Sequence, residues 1–310
     1  MSIVTNYLLP NGNDLGNVFN QYTQFETKLT TPSFISVATD ITGIYIGAVT
    51  GIGATNSNLV YLSSNSGSSW STTLIESNLN CISINDTGQY MAVAAAGSKI
   101  HVSNNYGSTW SSITSGSGTI WSCIKVSSTG QYMVAGSAGA QIFYSTNYGV
   151  NWTASSLLYG TNYWYSFCMN SNATLIYVAA ESGVFKSTNF GSTWSLIANY
   201  DSRSIACNSS ATQILLGTYS QGVYLSTDSG ATWTNTNLPT IKNGSSVQYN
   251  AVSSNSSGQY LVASNVISTN VSSGNIYFSN NFGTNWNLLN ESAGNLNGSS
   301  ISTINNNNSN

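Results

Sequence analysis

Residues 187–194, Ser187-Thr188-Asn189-Phe190-Gly191-Ser192-Thr193-Trp194, decide how this 310-residue chain is read. The frame Ser-x-Asn-x-Gly-x-x-Trp, with Asn189, Gly191 and Trp194 at its key positions, is one of six. The others are built on Asn65, Gly67 and Trp70; Asn105, Gly107 and Trp110; and Asn147, Gly149 and Trp152. Asp228, Gly230 and Trp233, and then Asn281, Gly283 and Trp286, complete the set. The tryptophans are 40, 42, 42, 39 and 53 residues apart. A period near forty marks stacked or ring-forming repeats.

Within one period lie four short segments rich in β-formers and bounded by Gly, Ser, Asn or Asp. In the second unit they are 81–84, 90–94, 99–102 and 110–113. Each reads as a strand, and no window sustains the 3.6-residue period of a helix. Four antiparallel strands per unit is one blade of an all-β propeller. A second signature keeps the units in phase: Gly88-Gln89-Tyr90, Gly130-Gln131-Tyr132 and Gly258-Gln259-Tyr260 fall between the first and second strands, where Gly suits a tight hairpin. The tryptophan frame falls between the third and fourth. Its Gly can take positive φ, its Asn or Asp can bond nearby amides as in an Asx turn, and its Trp can pack between sheets. The frame is therefore expected to be a structural turn.

This constellation resembles the Asp-box, or BNR, repeat of sialidases, sortilin-type receptors and photosystem II assembly factors. The resemblance covers most of the chain and implies a propeller whose boxes lie away from the functional face. One departure is that five of six copies carry Asn where that family prefers Asp. The resemblance to sialidases also implies three arginines around a substrate carboxylate. Arg203 is the sole arginine here, so sialidase activity is excluded.

The whole chain, 1–310, reads as a single propeller domain with six complete repeats over about 34–290. Residues 12–19 fit a degenerate frame, with Asp14, Gly16 and Phe19 at the Asp, Gly and Trp positions, and 299–304 could supply an inner strand. The expectation is seven blades, the closing one shared between the termini, which would hide sheet edges. The alternative is six blades with 1–33 and 291–310 as tails. In that reading the start, with its Asn-Gly-x-Asp-Leu, resembles attachment leaders of some phage and large-virus particle proteins.

Charged residues make up only 5% of the chain, with a net charge of −3. Five lysines and one arginine are too few and too scattered for a nucleic-acid backbone. No apolar run is long enough for a membrane-spanning helix, and the first residues carry no basic-then-apolar secretory leader. Exposure outside cells or on a virus particle fits the Asn/Ser/Thr-rich composition. Cys81, Cys123 and Cys168, with Cys207 after a one-residue gap, are assigned to one repeat position that Ser36 and Ala251 occupy elsewhere. They are expected as free packing thiols. No Cys/His spacing suggests a metal, His101 reads as structural, and no cofactor is expected.

Loops joining successive blades, and those joining second to third strands, share the face opposite the boxes. Aromatic and charged residues gather there unevenly: Trp121, then Tyr163, Trp164 and Tyr165, then Tyr200, Asp201 and Arg203, with Glu181 and Tyr219 on neighbouring loops. Rings beside a few polar groups suit a glycan or a protein partner, with Trp164 the expected stacking platform. The protein is thus expected to be a non-enzymatic binding or structural module. The alternative is a glycoside hydrolase using Glu181 and Asp201 as its acid and base.

Overall fold

The computed structural model describes residues 34–50, 59–75, 78–95, 99–114, 120–156, 162–242, 244–267 and 274–290. Within them every regular element is a strand. Blade one holds β1 (Phe34–Thr39), β2 (Ile46–Thr50), β3 (Leu59–Ser63) and β4 (Ser71–Leu74). Blade two holds β5 (Leu79–Ile84), β6 (Met91–Ala95), β7 (Lys99–Ser103) and β8 (Ser111–Thr114). Blade three holds β9 (Trp121–Val126), β10 (Met133–Ser137), β11 (Ile142–Ser145) and β12 (Thr153–Ala154). Blade four holds β13 (Trp164–Met169), β14 (Ile176–Ala180), β15 (Gly183–Ser187) and β16 (Ser195–Ala198). Blade five holds β17 (Ser202–Cys207), β18 (Ile214–Thr218), β19 (Val223–Ser226) and β20 (Thr234–Asn235). In blade six a short strand, β21 (Ile241–Lys242), precedes β22 (Ser245–Ser254), β23 (Leu261–Ile267), β24 (Ile276–Ser279) and β25 (Asn287–Asn290).

Each sheet is antiparallel and pairs its strands in chain order. The first strands pack in succession, β1 on β5, then β9, β13, β17 and β22, as propeller blades do around an axis. The β21–β22 hairpin, which no periodicity predicts, accounts for part of the long 53-residue spacing. Residues 12–19 and 299–304, on which the closing blade rests, lie outside the described residues. Second strands such as Met91-Ala92-Val93-Ala94-Ala95 are buried at every position, because neighbouring blades cover both faces. This removes the alternation a half-exposed strand would show.

The tryptophan frame is the expected turn, with more built into it than its glycine. In all six copies the Ser Oγ accepts a hydrogen bond from the Gly amide at 2.8–3.0 Å. The same hydroxyl donates to Oδ1 of the Asn or Asp. That Oδ1 also accepts the amide four residues on, at 2.8–2.9 Å. Two successive residues, not Gly alone, are left-handed: the residue before it has φ of 57–59° in every copy. In five copies the Trp Nε1 donates back to the Gly carbonyl at 2.9–3.1 Å. Trp233 is the exception, its Nε1 buried without a partner.

The Asn-for-Asp departure has a local explanation. In three copies Asn Nδ2 donates to the hydroxyl of Ser69, Thr109 or Thr193 at 2.8–2.9 Å. In the Asp228 copy the direction reverses, and Thr232 Oγ1 donates to Oδ2 at 2.6 Å. A hydroxyl serves either partner, so the turn accepts an amide or a carboxylate.

A second repeated anchor went unread in the sequence. At the end of each first strand Asp40, Asn85, Ser127, Asn170, Asn208 or Asn255 accepts the amide five residues on, at 2.9–3.1 Å. This closes the hairpin that in blades two, three and six carries Gly-Gln-Tyr, and the box turn bonds onto it through Tyr106 N to Gln89 O and Tyr148 N to Gln131 O. Both turns therefore share one face, as expected. There each blade reaches the next: Tyr45 stacks on Tyr106 at 4.8 Å, Tyr90 on Tyr148 at 4.9 Å, and Tyr132 on Phe190 at 4.5 Å. Such pairs contribute roughly 0.5–1.5 kcal/mol beyond their buried area.

Strand register corrects the cysteine assignment. Leu79, Trp121, Trp164 and Ser202 are equivalent, which places Cys81 and Cys123 with Ser36, Ser166, Ser204 and Ala251. Cys168 lies two positions further along its strand and Cys207 three. The small-residue position is real, but Ser166 and Ser204 occupy it in blades four and five. All four thiols are free.

Gly107 and Gly139 both have positive φ, 78° and 68°. A Cβ at Gly107 would strike Leu62 of the preceding blade, whereas one at Gly139 meets nothing within 4 Å. Gly139→Ala should cost only the left-handed penalty, about 1–2 kcal/mol. Gly107→Ala should add about 1–3 kcal/mol of overpacking. Urea unfolding of both variants checks this, and equal losses would refute the close-approach account. Hydrogen bonds from the Thr232 hydroxyl and amide and from Ser226 lower the Asp228 carboxyl from its ordinary 3.8 to about 2. A depressed carboxylate stabilises above its unfolded pKa and loses that contribution as pH falls through the folded one. Asp228→Asn should therefore match wild type near neutrality and lose less stability between pH 4 and pH 2. Parallel acid titrations would sink the assignment.

Candidate binding site at the cavity mouth

Every first strand slips register near its start. A bulge falls at Ile35, Asn80, Ser122, Tyr165 and Arg203, and a longer one lies between Gln248 and Ala251. A bulge re-aims the side chain it carries. In blades four and five the re-aimed residues are Tyr165 and Arg203, and both line the cavity enclosed by the first strands. That cavity has a volume of ≈ 640 Å³, within the range of about 300–1,000 Å³ typical of small-molecule sites.

At its mouth the Arg203 guanidinium lies between two rings, 4.3 Å from the centroid of Tyr165 and 4.6 Å from that of Tyr219. Its Nη2 donates to Asp201 Oδ2 at 3.3 Å. Oδ1 lies 3.1 Å from Nη2 but out of line for a hydrogen bond, leaving that buried oxygen with charge attraction alone. Burial raises the Asp201 carboxyl above its usual range; Arg203 opposes the shift and Glu181 adds to it. Burial likewise pushes the Tyr165 phenol up. Backbone bonds from Tyr219 N to Asp201 O and from Glu181 N to Tyr163 O tie second-to-third loops to blade connections. These loops thus share one face, opposite the boxes.

Six of the nine residues singled out in the sequence converge here: Tyr163, Tyr165, Glu181, Asp201, Arg203 and Tyr219. Tyr163 and Tyr219 are 51% and 40% exposed, enough to meet a partner. Of the other three, two are buried and Tyr200 is half-buried against a neighbouring ring. Trp121 and Trp164 have no exposed surface; Trp164 donates to Ala140 O at 2.8 Å and packs edge-on against Phe185. Neither indole offers a face to a ligand, so the expected Trp164 platform is corrected to a core residue. Their places at the start of β9 and β13, before the bulge, send them between blades. Tyr200 stacks on Tyr224 at 4.3 Å beside Trp233. Of the aromatic stretch 159–165, residues 159–161 lie outside the described residues.

Two exposed apolar side chains on this face escaped notice, Ile120 beside the start of β9 and Ile241 on the β21 hairpin. Their signal was weak, since lone isoleucines in Ser/Gly-rich connections resemble strand ends. His101 is buried, with Nδ1 3.2 Å from its cross-strand neighbour Ser112 Oγ, consistent with a structural residue. Among the described residues no group of three His, Cys, Asp or Glu could hold a metal ion, and no helix could cross a membrane.

Comparison with known proteins agrees with this architecture. The family model described as Sortilin, neurotensin receptor 3, matches residues 182–308. No curated protein matches the chain. Among solved structures it is similar to a GH74 xyloglucanase from Xanthomonas campestris, with TM-score 0.67 and 14% identity over 83% of this chain and 45% of that one. YCF48 bound to D1 peptide aligns with TM-score 0.60 and 14% identity, covering 84% of this chain and 82% of that one. The Cps50 (Swd1) β-propeller domain from Myceliophteria thermophila aligns with TM-score 0.62 and 10% identity, over 81% and 85%. The chain spans less than half the length of the xyloglucanase. At these identities the likeness shows the fold alone, a β-propeller, an architecture carried by hydrolases and by other propellers alike.

Trp164→Ala should cost about 3–5 kcal/mol of stability, as removal of a buried indole does, whereas Tyr219→Ala should cost below about 1 kcal/mol. Chemical denaturation separates them, and a mild Trp164→Ala phenotype would contradict the buried placement.

Proposed function

We propose that this propeller is a non-enzymatic recognition module that docks a protein segment at the cavity mouth opposite the box turns. The observation carrying this reading is the Tyr165–Arg203–Tyr219 stack, with Asp201 holding the guanidinium in place. Tyrosine and arginine are the residues that dominate protein interfaces, where lysine and acidic groups are depleted. Exposed Tyr163, Tyr219, Ile120 and Ile241 extend the patch, and the charge-poor surface lets it dock without strong long-range fields. The peptide bound by the similarly folded YCF48 supports a polypeptide ligand. A glycan is the competing ligand, since the same rings could stack on sugar faces.

Arg203→Lys removes the planar fork that stacks between rings while keeping its charge. It should weaken capture of the partner at least tenfold, as should Tyr219→Ala, with thermal stability nearly unchanged. Peptide and glycan arrays probed with wild type and both variants test this. Selective peptide binding lost in both supports the reading, glycan-selective binding transfers the site to a lectin, and binding untouched by either variant overturns it.

A hydrolase is the second reading, favoured by Glu181 and Asp201 acting on one another electrostatically with Asp201 shifted toward its protonated form. Against it, the Asp201 carboxylate is engaged by Arg203. Xyloglucan and other β-glucans would be cleaved by wild type and spared by Glu181→Gln if that reading held.

A further inference from the structure

Deeper in the cavity, away from the tyrosine mouth, lies a cation that no carboxylate among the described residues pairs with. Strand register places Lys125 in one layer with Ala38, Ser83, Cys168, Ala206 and Ser253. Five blades thus present small side chains at this level, and one presents a four-carbon chain ending in an ammonium. Lys125 is half-buried and lines the cavity. Among the described residues no hydrogen bond or ion pair engages it.

The other charged groups lining the cavity are otherwise committed or distant along the strands. Arg203 is paired with Asp201 at the mouth. Asp40 accepts from Tyr45 N and Thr42 Oγ1 within its turn. Asp86 follows the end of β5, three residues past the Lys125 layer. Burial raises the thiols of Cys81, Cys123 and Cys168, so none supplies a thiolate. An ammonium that faces a cavity lined by hydroxyls, with no anion of its own among the described residues, is a ready oxyanion site. Ser83 and Ser253, in the Lys125 layer, bring hydroxyls to the cavity lining.

We propose that the cavity binds a small oxyanion, a phosphate or a carboxylate carried on a hydroxylated molecule, with the Lys125 ammonium as its counter-charge. The site is separate from the mouth and independent of what docks there.

Inorganic phosphate and D-glucuronate, with glucose as the uncharged control, would be titrated at low salt into the full chain labelled with ¹³C-lysine. Wild type, Lys125→Gln, Lys125→Arg and Tyr219→Ala would be compared by calorimetry and by the Lys125 Cε resonance. One-to-one binding of either anion is expected, weakened at least tenfold by Lys125→Gln and retained in Lys125→Arg and Tyr219→Ala. Preference for phosphate or for glucuronate identifies the source of the oxyanion. Absence of saturable binding, an unmoved Lys125 resonance, or equal affinity in Lys125→Gln would overturn the proposal. The wild-type resonance decides the matter even where a variant fails to fold. Loss of partner capture in Tyr219→Ala with phosphate binding intact would show the two sites to be separate.

Discussion

The molecule depends on a turn that places two successive residues in left-handed conformation. For any L-residue that geometry carries a penalty of about 1–2 kcal/mol, and the box offsets it locally. One serine hydroxyl bonds both the glycine amide and the Asn or Asp oxygen, which in turn holds the amide four residues on. With the turn locked, the glycine presents no Cβ, and Leu62, Val102 or Leu225 of the preceding blade packs straight onto the backbone. The turn is thus also the docking surface between blades. Five copies, from Gly107 to Gly283, repeat that contact, and the tryptophan behind each fills the wedge between sheets.

The same economy of charge runs through the whole chain. The box needs an oxygen acceptor, not a carboxylate, and a hydroxyl four residues on adapts to either chemistry. Inner hairpins are closed by Asn, Asp or Ser with equal success. Hydrogen bonds between neutral groups contribute about 0.5–1.5 kcal/mol each and are barely screened by salt. A protein assembled from them can dispense with surface ion pairs, which contribute little in any case. Against that background Arg203 and Lys125 stand out as the two cations among the described residues that line the cavity.

Both owe their positions to the first strands. A bulge near the start of each strand turns one side chain out of the regular alternation, and in blades four and five that side chain is Tyr165 or Arg203. Residues before the bulge, Trp121 and Trp164 among them, are sent between the sheets instead. One residue of offset separates a core indole from a mouth-lining guanidinium.

The sequence by itself determined the architecture. The recurring Ser-x-Asn-x-Gly-x-x-Trp carries its own physics: short-range hydrogen bonds, positive φ and a fixed spacing that needs no distant partner to be recognised. It also placed six of the nine candidate residues together on one face, because loops alternate between faces whatever their composition. Tertiary structure alone decided which aromatics are buried, which cysteines are equivalent, and that no carboxylate among the described residues pairs with Lys125. Each of these turns on strand register, and a bulge shifts register without leaving a residue signature. Trp164 and Tyr165 are neighbours of similar chemistry in the chain, yet pairing with β14 sends one into the core and the other over Arg203. Only the partner strand carries that information.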